Sequence, residues 1–533
     1  MLNLFNRTHS SRTVIIAVSF FWIFFTNFTF FNHVLKIYPP SLLNSISIFS
    51  LTIVLLSTTI LILTLIVNRW IFKPFMIILL MVTASVAYFM DSYDIVVDTH
   101  MITNIMQTNF NESADLFSLK MVAYILFLGV LPSWIVYKLQ ITHLPYKKQI
   151  ISDIKTVALI VVIVAATILT FSKFYTSFFR EHKPLRYYAN PSFCLYSVGK
   201  SVSDACSYES KELKLIGQDA KISSNDKNRK LIILVVGESA RADHFSLNGY
   251  SRETNPLLKK EDIINFSDFT SCGTETAVSV PCMFSSFGRK EYEGKKALYT
   301  ENVLDVFTHA GANVLWRDNN SDSKGVALRV PYEDFKLPKN NTMCSDGECR
   351  DEGMLVGLQK YIDAHPKGDI VIVLHQMGNH GPAYYKRYPK EFEKFTPVCK
   401  TNQLEQCTQA EITNAYDNVI LYTDYFLSKV IGLLKQNDNS FGTAMFYVSD
   451  HGESLGENGL YLHGFPYAIA PDTQKHVPAV MWFGKQFKVN KDKLAKKAKE
   501  SLSHDAYFHT ALNLLDVNTT VYKPELSILN GIH

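Results

Sequence analysis

The hydrophobic pattern divides the chain into two parts of different character. Five long apolar segments occupy the first third, each close to the roughly 20 residues that a helix needs to cross a bilayer. From about residue 215 onward, shorter apolar and polar stretches alternate as they do in a soluble domain. The segments lie near 13–32, 43–67, 74–90, 120–138 and 156–173, and the third is the shortest.

Basic residues beside these segments predict their orientation. Basic residues are concentrated before the first segment, between the second and third, and between the fourth and fifth. The loops on the opposite side carry little besides Lys36 and Lys120. By the positive-inside rule the N-terminus is cytoplasmic, and five spans place everything after about residue 174 across the membrane. The cytoplasmic basic residues are Arg7, Arg12, Arg69, Lys73, Lys138, Lys147, Lys148 and Lys155.

All eight cysteines follow the last apolar segment, in four pairs of near neighbours. This distribution suits an oxidising compartment such as the periplasm. Pairing by proximity is a hypothesis, because eight cysteines allow roughly 100 pairings. Reduced cysteines or zinc knuckles are the alternative, although no tandem CxxC spacing is present. The expected bridges are Cys194–Cys206, Cys272–Cys282, Cys344–Cys349 and Cys399–Cys407.

The second part of the chain has the pattern of an α/β domain. Apolar, β-branched runs alternate with helical patterns, which favours a doubly wound sheet. The formal net charge is only +4, so there is no case for nucleic-acid binding. Strands are predicted at 230–236, 313–316, 369–374 and 443–448, and helices near 301–310, 350–364, 409–436 and 503–515.

Two connecting segments carry patterns of their own. In the loop 91–119, Asn104, Thr108 and Glu112 are spaced i, i+4, i+8 and would share one face of a helix. That face is either a binding surface or simply solvated. Aromatic and basic residues in 171–190 are typical of a segment on the membrane interface, with a buried linker helix as the alternative.

Polar residues follow three of the predicted strands. In open α/β sheets the active site lies beyond the carboxyl ends of the strands. Carboxylates and imidazoles that converge from several strand ends suit zinc, whereas one such residue alone often only caps a turn. The candidates are Glu238, His375, His380, Asp450, His451 and His463.

A nucleophile is expected in the segment Ser271–Ala277, which contains Thr274 and Thr276. If Thr276 begins a helix, its hydroxyl lies where the helix N-terminus also favours a phosphate. A threonine hydroxyl reacts only when a base or metal activates it. The alternative is that Thr276 is an ordinary helix cap.

The motifs GES, CGTxTAxSVPC, HGP, SDHGESLGE and YLHG together resemble the phosphoethanolamine-lipid A transferase family. This family includes intrinsic bacterial enzymes and mobile colistin-resistance enzymes, and the resemblance covers nearly the whole chain. It implies an alkaline-phosphatase-like α/β domain in the periplasm, attached to a five-helix transmembrane domain in the inner membrane of a Gram-negative bacterium. The implied domains are a membrane part at 1–175, an interfacial bridge at 176–215 and a catalytic part at 216–533.

The resemblance also implies roles for particular residues. Zinc would be bound by Glu238, Thr276, Asp450 and His451, and a second zinc during turnover is left open. Thr276 would be the nucleophile, while His380 and His463 would contact the phosphoryl group or assist proton transfer. Beside the nucleophile we expect a small residue, and Glu275 departs from that expectation. The residues implied to bind the phosphatidylethanolamine donor are Asn104, Thr108, Glu112, Ser321 and Lys324.

The implied reaction has two steps. Thr276 would attack phosphatidylethanolamine and release diacylglycerol, and a lipid A phosphate would then take the phosphoethanolamine from the threonine. The added amine would weaken electrostatic binding of polymyxins and other cationic peptides. The partners are therefore membrane lipids, and a monomer is expected.

Other functions remain open at this point. The acceptor could instead be a lipopolysaccharide core sugar or a periplasmic glucan, or the chain could transfer glycerol phosphate to lipoteichoic acid. The four cysteine pairs argue against the last of these. A sulfatase would carry CxPxR at its nucleophile, which is absent around Thr276. A membrane sensor with an inactive domain is the alternative outside enzymes, and the intact set of metal ligands argues against it.

Overall fold

The computed structural model describes residues 5, 7–107, 116–206, 212–223 and 228–532. The chain forms two compact units. The first contains the residues up to Ile102 together with Phe117–Ser207, and the second contains Thr103–Leu116 together with Tyr208–His533. The segment between the third and fourth predicted spans is therefore divided between the units, and its described residues from Thr103 onward belong to the second.

The first unit is built almost entirely from helices. Among the described residues, four helices are long and apolar enough to cross a membrane, and a bent N-terminal pair would make up to five. The four are Leu42–Ile66, Phe72–Tyr93, Leu119–Lys138 and Tyr146–Thr170, and the bent pair is Ser11–Phe25 with Phe28–Ile37. The remaining elements are the helix Thr99–Gln107, whose residues up to Ile102 belong to this unit, the helices Ser172–Glu181 and Ser192–Cys206, the 3₁₀ turn Lys183–Tyr188, and the short paired strands Thr8–Ser10 and Gln140–Thr142.

The first predicted span is not one straight helix but two, bent by 55°. The break lies at Thr26 and Asn27, whose side chains both donate to the carbonyl of Trp22, each at 3.0 Å. The Asn27 amide also donates to the carbonyl of Asn190 at 2.6 Å. Polar side chains that bond to the backbone in this way compete with helix continuation. The bend therefore follows from two polar residues inside an apolar run.

The segment 171–190 folds as helix and 3₁₀ turn within the first unit. Tyr175 and Phe178 are buried there, and the Tyr175 hydroxyl lies 3.1 Å from the Ser50 hydroxyl. Phe179 is exposed. The aromatic residues are therefore divided between the interior of the unit and its surface, and an interfacial position for this segment stays a prediction.

The second unit contains a seven-stranded mixed sheet. In chain order its strands are β1 Lys230–Gly237, β2 Ile263–Phe266, β3 Asn313–Asp318, β4 Tyr332–Asp334, β5 Ile370–His375, β6 Gly442–Ser449 and β7 Ala479–Phe483. The order across the sheet is β2-β7-β6-β1-β5-β3-β4. Strands β4, β3, β5, β1 and β6 are mutually parallel, and β7 is antiparallel to both of its neighbours.

Helices cover both faces of this sheet. Every residue of β1 is buried, as expected of a parallel strand with a covered surface on either side. On one face Ile232, Leu234 and Val236 share a core with Phe284 and Tyr507, and the long helix Gln409–Asn437 packs against β6. The helices are Thr276–Phe284, Gly288–Glu291, Gly294–Leu298, Val303–His309, Leu358–Ala364, Gln409–Asn437, Lys491–Lys497 and Tyr507–Leu514.

The four predicted strands are the four central strands of the sheet, β1, β3, β5 and β6. The sequence did not predict the antiparallel edge formed by β7 and β2. These strands have only five and four residues, too few for a clear pattern. Short paired strands outside the sheet join Cys344–Ser345 to Glu348–Cys349, Ser454–Leu455 to Tyr461–Leu462, Leu502–Ser503 to Phe269–Thr270 and Val517–Asn518 to Lys221–Ile222.

Three disulfides link near neighbours in the second unit, namely Cys272–Cys282, Cys344–Cys349 and Cys399–Cys407. The expected Cys194–Cys206 bridge is wrong, because Cys194 is a free, buried cysteine. Both positions lie in the helix Ser192–Cys206, twelve residues apart. At about 1.5 Å per residue their Cα atoms are about 18 Å apart, far beyond the roughly 7 Å that a disulfide can span.

Candidate metal site and nucleophile

The candidate site lies at the carboxyl ends of the parallel strands. Glu238 directly follows β1, and Asp450 and His451 directly follow β6. Since these two strands are parallel neighbours, their ends bring the three side chains to the same edge of the sheet. All three are almost completely buried. The chain leaves β1 through Ser239, whose φ of 55° is uncommon for a residue other than glycine.

Thr276 begins the helix Thr276–Phe284. The Cys272–Cys282 disulfide ties the preceding loop to the body of that helix. Gly273 allows the loop to approach the helix, because a Cβ there would lie 2.8 Å from the Ser279 hydroxyl. The Thr274 carbonyl accepts from the backbone of Gly464 at 2.8 Å, which fixes the loop against the segment that carries His463.

Oxygen and nitrogen atoms of these residues converge on one small volume. The Thr276 Oγ1 donates to Glu238 Oε2 at 3.0 Å and lies 3.4 Å from His451 Nε2. The same His451 nitrogen is 3.3 Å from Glu238 Oε1 and 3.5 Å from Asp450 Oδ2. A tetrahedral zinc with bonds of about 2.0–2.1 Å would hold its ligand atoms about 3.3–3.4 Å apart. The donor set therefore has spacings suited to one metal ion.

Asp450 supports the same interpretation. Its Oδ1 accepts backbone N–H groups of Ser239 and His451, at 3.1 and 2.7 Å. Its Oδ2 is buried and has no hydrogen-bond partner among the described residues. A buried carboxylate oxygen without a partner is costly unless a cation binds it. A metal ion would satisfy this oxygen.

The charges of the site also favour a cation. Burial opposes ionisation of Glu238, but the charges of His451, His380 and His463 and the hydrogen bond to His451 together outweigh burial and keep the pKa of Glu238 well below its usual range. Burial and the charge of Glu238 together raise the pKa of Asp450. Burial alone would lower the pKa of His451, yet Asp450 and Glu238 raise it. Two carboxylates facing one imidazole leave excess negative charge that a cation would offset.

Two further histidines lie beside this cluster. Ligand atoms of Glu238, His451 and His463 all lie within 4.8 Å of one another, so these three could also hold a metal ion. The rings of His451 and His463 are 4.3 Å apart between centroids, and those of His380 and His463 are 5.9 Å apart. His463 Nδ1 lies 2.8 Å from Glu453 Oε2. The structure thus gathers the histidines that the motifs single out, with one exception.

The exception is His375, the last residue of β5. It is completely buried, and its Nδ1 lies 2.9 Å from Asp318 Oδ2 at the end of β3. Its ligand atoms are not part of the group formed by Glu238, His451 and His463. His375 is therefore held by the sheet rather than presented as one of those ligands.

Known proteins resemble this chain along nearly its whole length. A family model described as phosphoethanolamine transferase EptA/EptB matches residues 55–206, and a sulfatase model matches residues 230–517. Phosphatidylethanolamine transferase Mcr-2 of Escherichia coli is 45% identical over 515 residues, covering 94% of both chains. The chain belongs to the phosphoethanolamine transferase family. It is an enzyme of the transferase class with an alkaline-phosphatase-like domain.

Two other members of the phosphoethanolamine transferase family extend the comparison. Phosphoethanolamine transferase EptA of Escherichia coli K12 is 41% identical over 522 residues, covering 94% of this chain and 93% of that protein. The solved structure of the integral membrane protein lipooligosaccharide phosphoethanolamine transferase A from Neisseria meningitidis superposes with a TM-score of 0.94. It is 35% identical and covers 99% of both chains. Both the apolar helices and the α/β domain are thus shared with a transferase.

Of the five residues implied to bind the phosphatidylethanolamine donor, the structure describes three. Asn104 lies in the second unit, and its side-chain amide donates to Glu275 Oε2 at 3.2 Å. Thr108 and Glu112 lie outside the described residues. Ser321 and Lys324 follow β3, in the loop after Asn320, and the Lys324 ammonium lies 3.5 Å from the Ser321 carbonyl.

Three residues to which sequence analysis gave no role hold the site in place, and two of them, Ser239 and Glu453, lie in the motifs GES and SDHGESLGE. Asn320 is completely buried and donates to Glu238 Oε2 at 2.8 Å. The Ser239 hydroxyl donates to Glu238 Oε1 at 2.6 Å. Glu453 accepts from the Tyr384 hydroxyl at 2.9 Å on one oxygen and contacts His463 on the other. The strand-end rule could have found Asn320, since it follows β3 as Glu238 follows β1.

Proposed function

We propose that this transferase moves phosphoethanolamine from phosphatidylethanolamine to a phosphate of lipid A, with Thr276 as the nucleophile. The observation that carries the proposal is the convergence of Thr276 Oγ1 on Glu238 and His451, within 3.4 Å of both. A hydroxyl so placed at the start of a helix can be both activated and presented to a phosphate. The relatives supply the substrate class, since Mcr-2 is named a phosphatidylethanolamine transferase.

Zinc is the metal that this donor set suits best. Glu238, Thr276, Asp450 and His451 would hold it, because carboxylate, hydroxyl and imidazole donors at tetrahedral spacing favour zinc. When bound, zinc would lower the pKa of the Thr276 hydroxyl and offset negative charge on the phosphoryl oxygens. His463 lies close enough to Glu238 and His451 for a second zinc during turnover.

In the first step the Thr276 oxygen forms a bond to the donor's phosphorus as its proton leaves. The bond between phosphorus and the diacylglycerol oxygen breaks, and that oxygen takes up a proton, which releases diacylglycerol. In the second step an oxygen of a lipid A phosphate attacks the phosphothreonine. The bond from phosphorus to Thr276 breaks, and the threonine hydroxyl regains its proton.

His380 and His463 are proposed to contact the phosphoryl group and to move these protons. Unperturbed histidine titrates near neutrality, at a pKa of about 6.5, so it can both give and accept a proton. Glu453 fixes the ring of His463 through Nδ1, which leaves Nε2 for the substrate side. Tyr384 in turn holds Glu453, so the imidazole orientation is set by a chain of hydrogen bonds.

The donor headgroup is proposed to bind Asn104, Thr108, Glu112, Ser321 and Lys324. Asn104 supports this, since its side chain contacts Glu275, the residue directly before Thr276. Lys324 would pair with a phosphate oxygen and Glu112 with the ammonium, because charge-assisted hydrogen bonds are roughly twice as strong as neutral ones.

We further propose five spans in the bacterial inner membrane, a cytoplasmic N-terminus and a catalytic domain in the periplasm. The proposal counts the bent pair Ser11–Phe25 and Phe28–Ile37 as one span. The bias of basic residues and the confinement of all eight cysteines to the region after residue 190 support this topology. The proposed domains are 1–175, 176–215 and 216–533.

Both substrates are lipids in this scheme, so an anchored enzyme meets them within one membrane surface. Addition of a primary amine would make lipid A less anionic. Polymyxins and other cationic peptides, whose attraction to the surface is electrostatic, would then bind less well.

The test is mass spectrometry of lipopolysaccharide from Gram-negative cells that express the chain, a Thr276→Ala variant or neither. We expect phosphoethanolamine on the lipid A fragment with the wild type only, at equal membrane levels of both proteins. Phosphoethanolamine on the core sugars instead would replace lipid A as the acceptor. Modification that persists with Thr276→Ala would contradict the role of the threonine.

A further inference from the structure

A buried carboxylate, Glu275, stands directly before the nucleophile. It occupies the N-cap position of the helix Thr276–Phe284 and is 2% exposed. An N-cap side chain commonly accepts a hydrogen bond from the first turn of its helix, but that of Glu275 makes no such bond. Its Oε2 instead accepts from the Asn104 side-chain amide at 3.2 Å. The carboxylate is thus directed toward the segment proposed to bind the donor.

A carboxylate at this point has a chemical cost. It is buried, which disfavours its charged form, and it adjoins a site that must receive an anionic phosphoryl group. The Glu275 charge also reaches Tyr292, whose pKa is raised first by burial and then by Glu275. A second anion at this point opposes binding of the phosphoryl group less when the same substrate also carries a cation.

The donor proposed above carries such a cation. In phosphoethanolamine the ammonium is separated from the phosphate by an oxygen and two carbons, so both charges belong to one short group. Consecutive Cα atoms are about 3.8 Å apart, which lets neighbouring side chains engage the two ends of that group. The ammonium can donate up to three hydrogen bonds, as a lysine ammonium does.

We propose that Glu275 binds the ammonium of phosphoethanolamine while Thr276 engages its phosphorus, and that Asn104 orients the carboxylate. Glu275 is then a residue that determines specificity for donors with a primary amine. The inference rests on the proposed function and adds Glu275 to Glu112 as a second carboxylate for the donor's ammonium, which can donate up to three hydrogen bonds.

The competing explanation is that Glu275 only fastens the segment of Asn104 to the second unit. Glu275→Gln separates the two, because glutamine keeps an oxygen that accepts from Asn104 but removes the charge. Glu293→Gln is the matched control, since Glu293 is also an N-cap glutamate without a capping hydrogen bond, but it is exposed. Glu275→Asp is a second variant that keeps the charge.

The experiment uses the full chain, loaded with zinc, in vesicles that contain lipid A and one of two donors. One donor is phosphatidylethanolamine, and the other is its N-acetyl derivative, which has no ammonium. Initial transfer rates are measured below saturation, and zinc content is determined for every variant.

We expect Glu275→Gln to lower the rate with phosphatidylethanolamine about tenfold or more, the effect of losing one charged hydrogen bond. The rate with the N-acetyl donor should not fall, so the preference of the wild type for the ammonium should shrink by the same factor. Glu275→Asp should keep most of that preference, and Glu293→Gln should keep all of it.

A Glu275→Gln variant that retains the wild-type preference would overturn the inference. Equal slowing of both donors at unchanged zinc content would also overturn it and leave only the fastening role. Loss of the preference in Glu275→Asp to the extent seen in Glu275→Gln would do the same. Failure of the zinc-loaded wild type to transfer from phosphatidylethanolamine would instead refute the proposed function.

Discussion

Asn320 connects β3 to the metal site through a single hydrogen bond to Glu238. Its amide also donates to the Gln376 carbonyl at 2.8 Å, so its orientation is fixed from two sides. Loss of a partner that orients a metal ligand typically lowers metal affinity or activity by about 10- to 100-fold. Asn320 should therefore matter for zinc although it is not proposed as a ligand.

Asn320→Ala should weaken zinc binding by roughly 10- to 100-fold. The measurement is competition against a chelator of known affinity, with the full chain in detergent. The control is Asn340→Ala, which removes an exposed asparagine outside the site. Equal zinc affinity in Asn320→Ala and the wild type would show that Glu238 needs no such support.

Asp424 is a buried carboxylate far in sequence from the proposed ligands. It lies in the helix Gln409–Asn437 and accepts the backbone N–H groups of Leu257 and Leu258, at 2.8 and 2.9 Å. Burial raises the pKa of Asp424 to about 7 from an ordinary value of 3.8. Since the folded state holds the proton more tightly, its contribution to stability is complete below pH 3.8 and lost as pH rises through about 7.

The free energy of unfolding should therefore fall between about pH 4 and about pH 7 by more in the wild type than in Asp424→Asn. Asparagine cannot ionise, so Asp424→Asn removes the pH-dependent contribution of this side chain to stability while keeping one acceptor oxygen. Thermal melts of both proteins across this pH range measure the difference. A constant difference between the two melting temperatures would contradict the shifted pKa of Asp424.

At the scale of elements, the Cys272–Cys282 disulfide fixes the loop that leads to Thr276. It closes a loop of ten residues, for which the chain-entropy model gives about 2–3 kcal/mol of stabilisation. The Cys399–Cys407 disulfide closes a loop of similar size, eight residues, before the helix Gln409–Asn437. The two bridges allow stability and activity to be compared separately.

Replacing Cys272 and Cys282 with serine should lower the free energy of unfolding by about 2–3 kcal/mol and strongly reduce transfer. The same replacement of Cys399 and Cys407 should cost a similar free energy and leave transfer largely intact at a temperature where both proteins are folded. Denaturation curves and vesicle transfer assays measure the two effects. Equal loss of transfer in both double variants would show that the first bridge has no special role at the nucleophile.

The elements predicted correctly share one physical property. Strands β1, β3, β5 and β6 are buried on both faces, so their sequences are continuous apolar runs that stand out from their surroundings. The strands that were not predicted, β2, β4 and β7, have only three to five residues each, which is too few for a clear pattern. The bend at Thr26 and Asn27 depends on a contact with Asn190, which is distant in the sequence.

The candidate site, like the fold, could be predicted from the sequence only where the signal is local. The strand ends that carry Glu238, Asp450 and His451 could be recognised because local motifs mark them. Asn320 also follows a strand, but no motif marks it. The bonds from Asn320 to Glu238 and from Glu453 to His463 and Tyr384 join separate loops, so these contacts could not be predicted from the sequence. The wrong bridge at Cys194 has a local cause, since an unpredicted helix keeps the two positions apart.

At the scale of the whole molecule, the second unit has its own core, but its proposed donor segment is inserted from the membrane part of the chain. Residues 216–533 alone should therefore fold and bind zinc, yet lose most transfer to lipid A in vesicles. The physical reason is the loss of both the Asn104 segment and the membrane anchor. Zinc analysis and vesicle assays at equal protein concentration test this. Transfer by the isolated domain as fast as by the full chain would reduce residues 1–215 to a tether.

The central claim is that Thr276 carries phosphoethanolamine between donor and acceptor. The most direct measurement is mass spectrometry of the peptide that contains Thr276, after the zinc-loaded full chain is incubated with phosphatidylethanolamine vesicles without lipid A. We predict one added phosphoethanolamine group on Thr276, which is released when lipid A is supplied. The group should be absent from the corresponding peptide of Thr276→Ala protein. An unmodified Thr276 peptide while diacylglycerol accumulates and lipid A becomes modified on its addition would contradict the account.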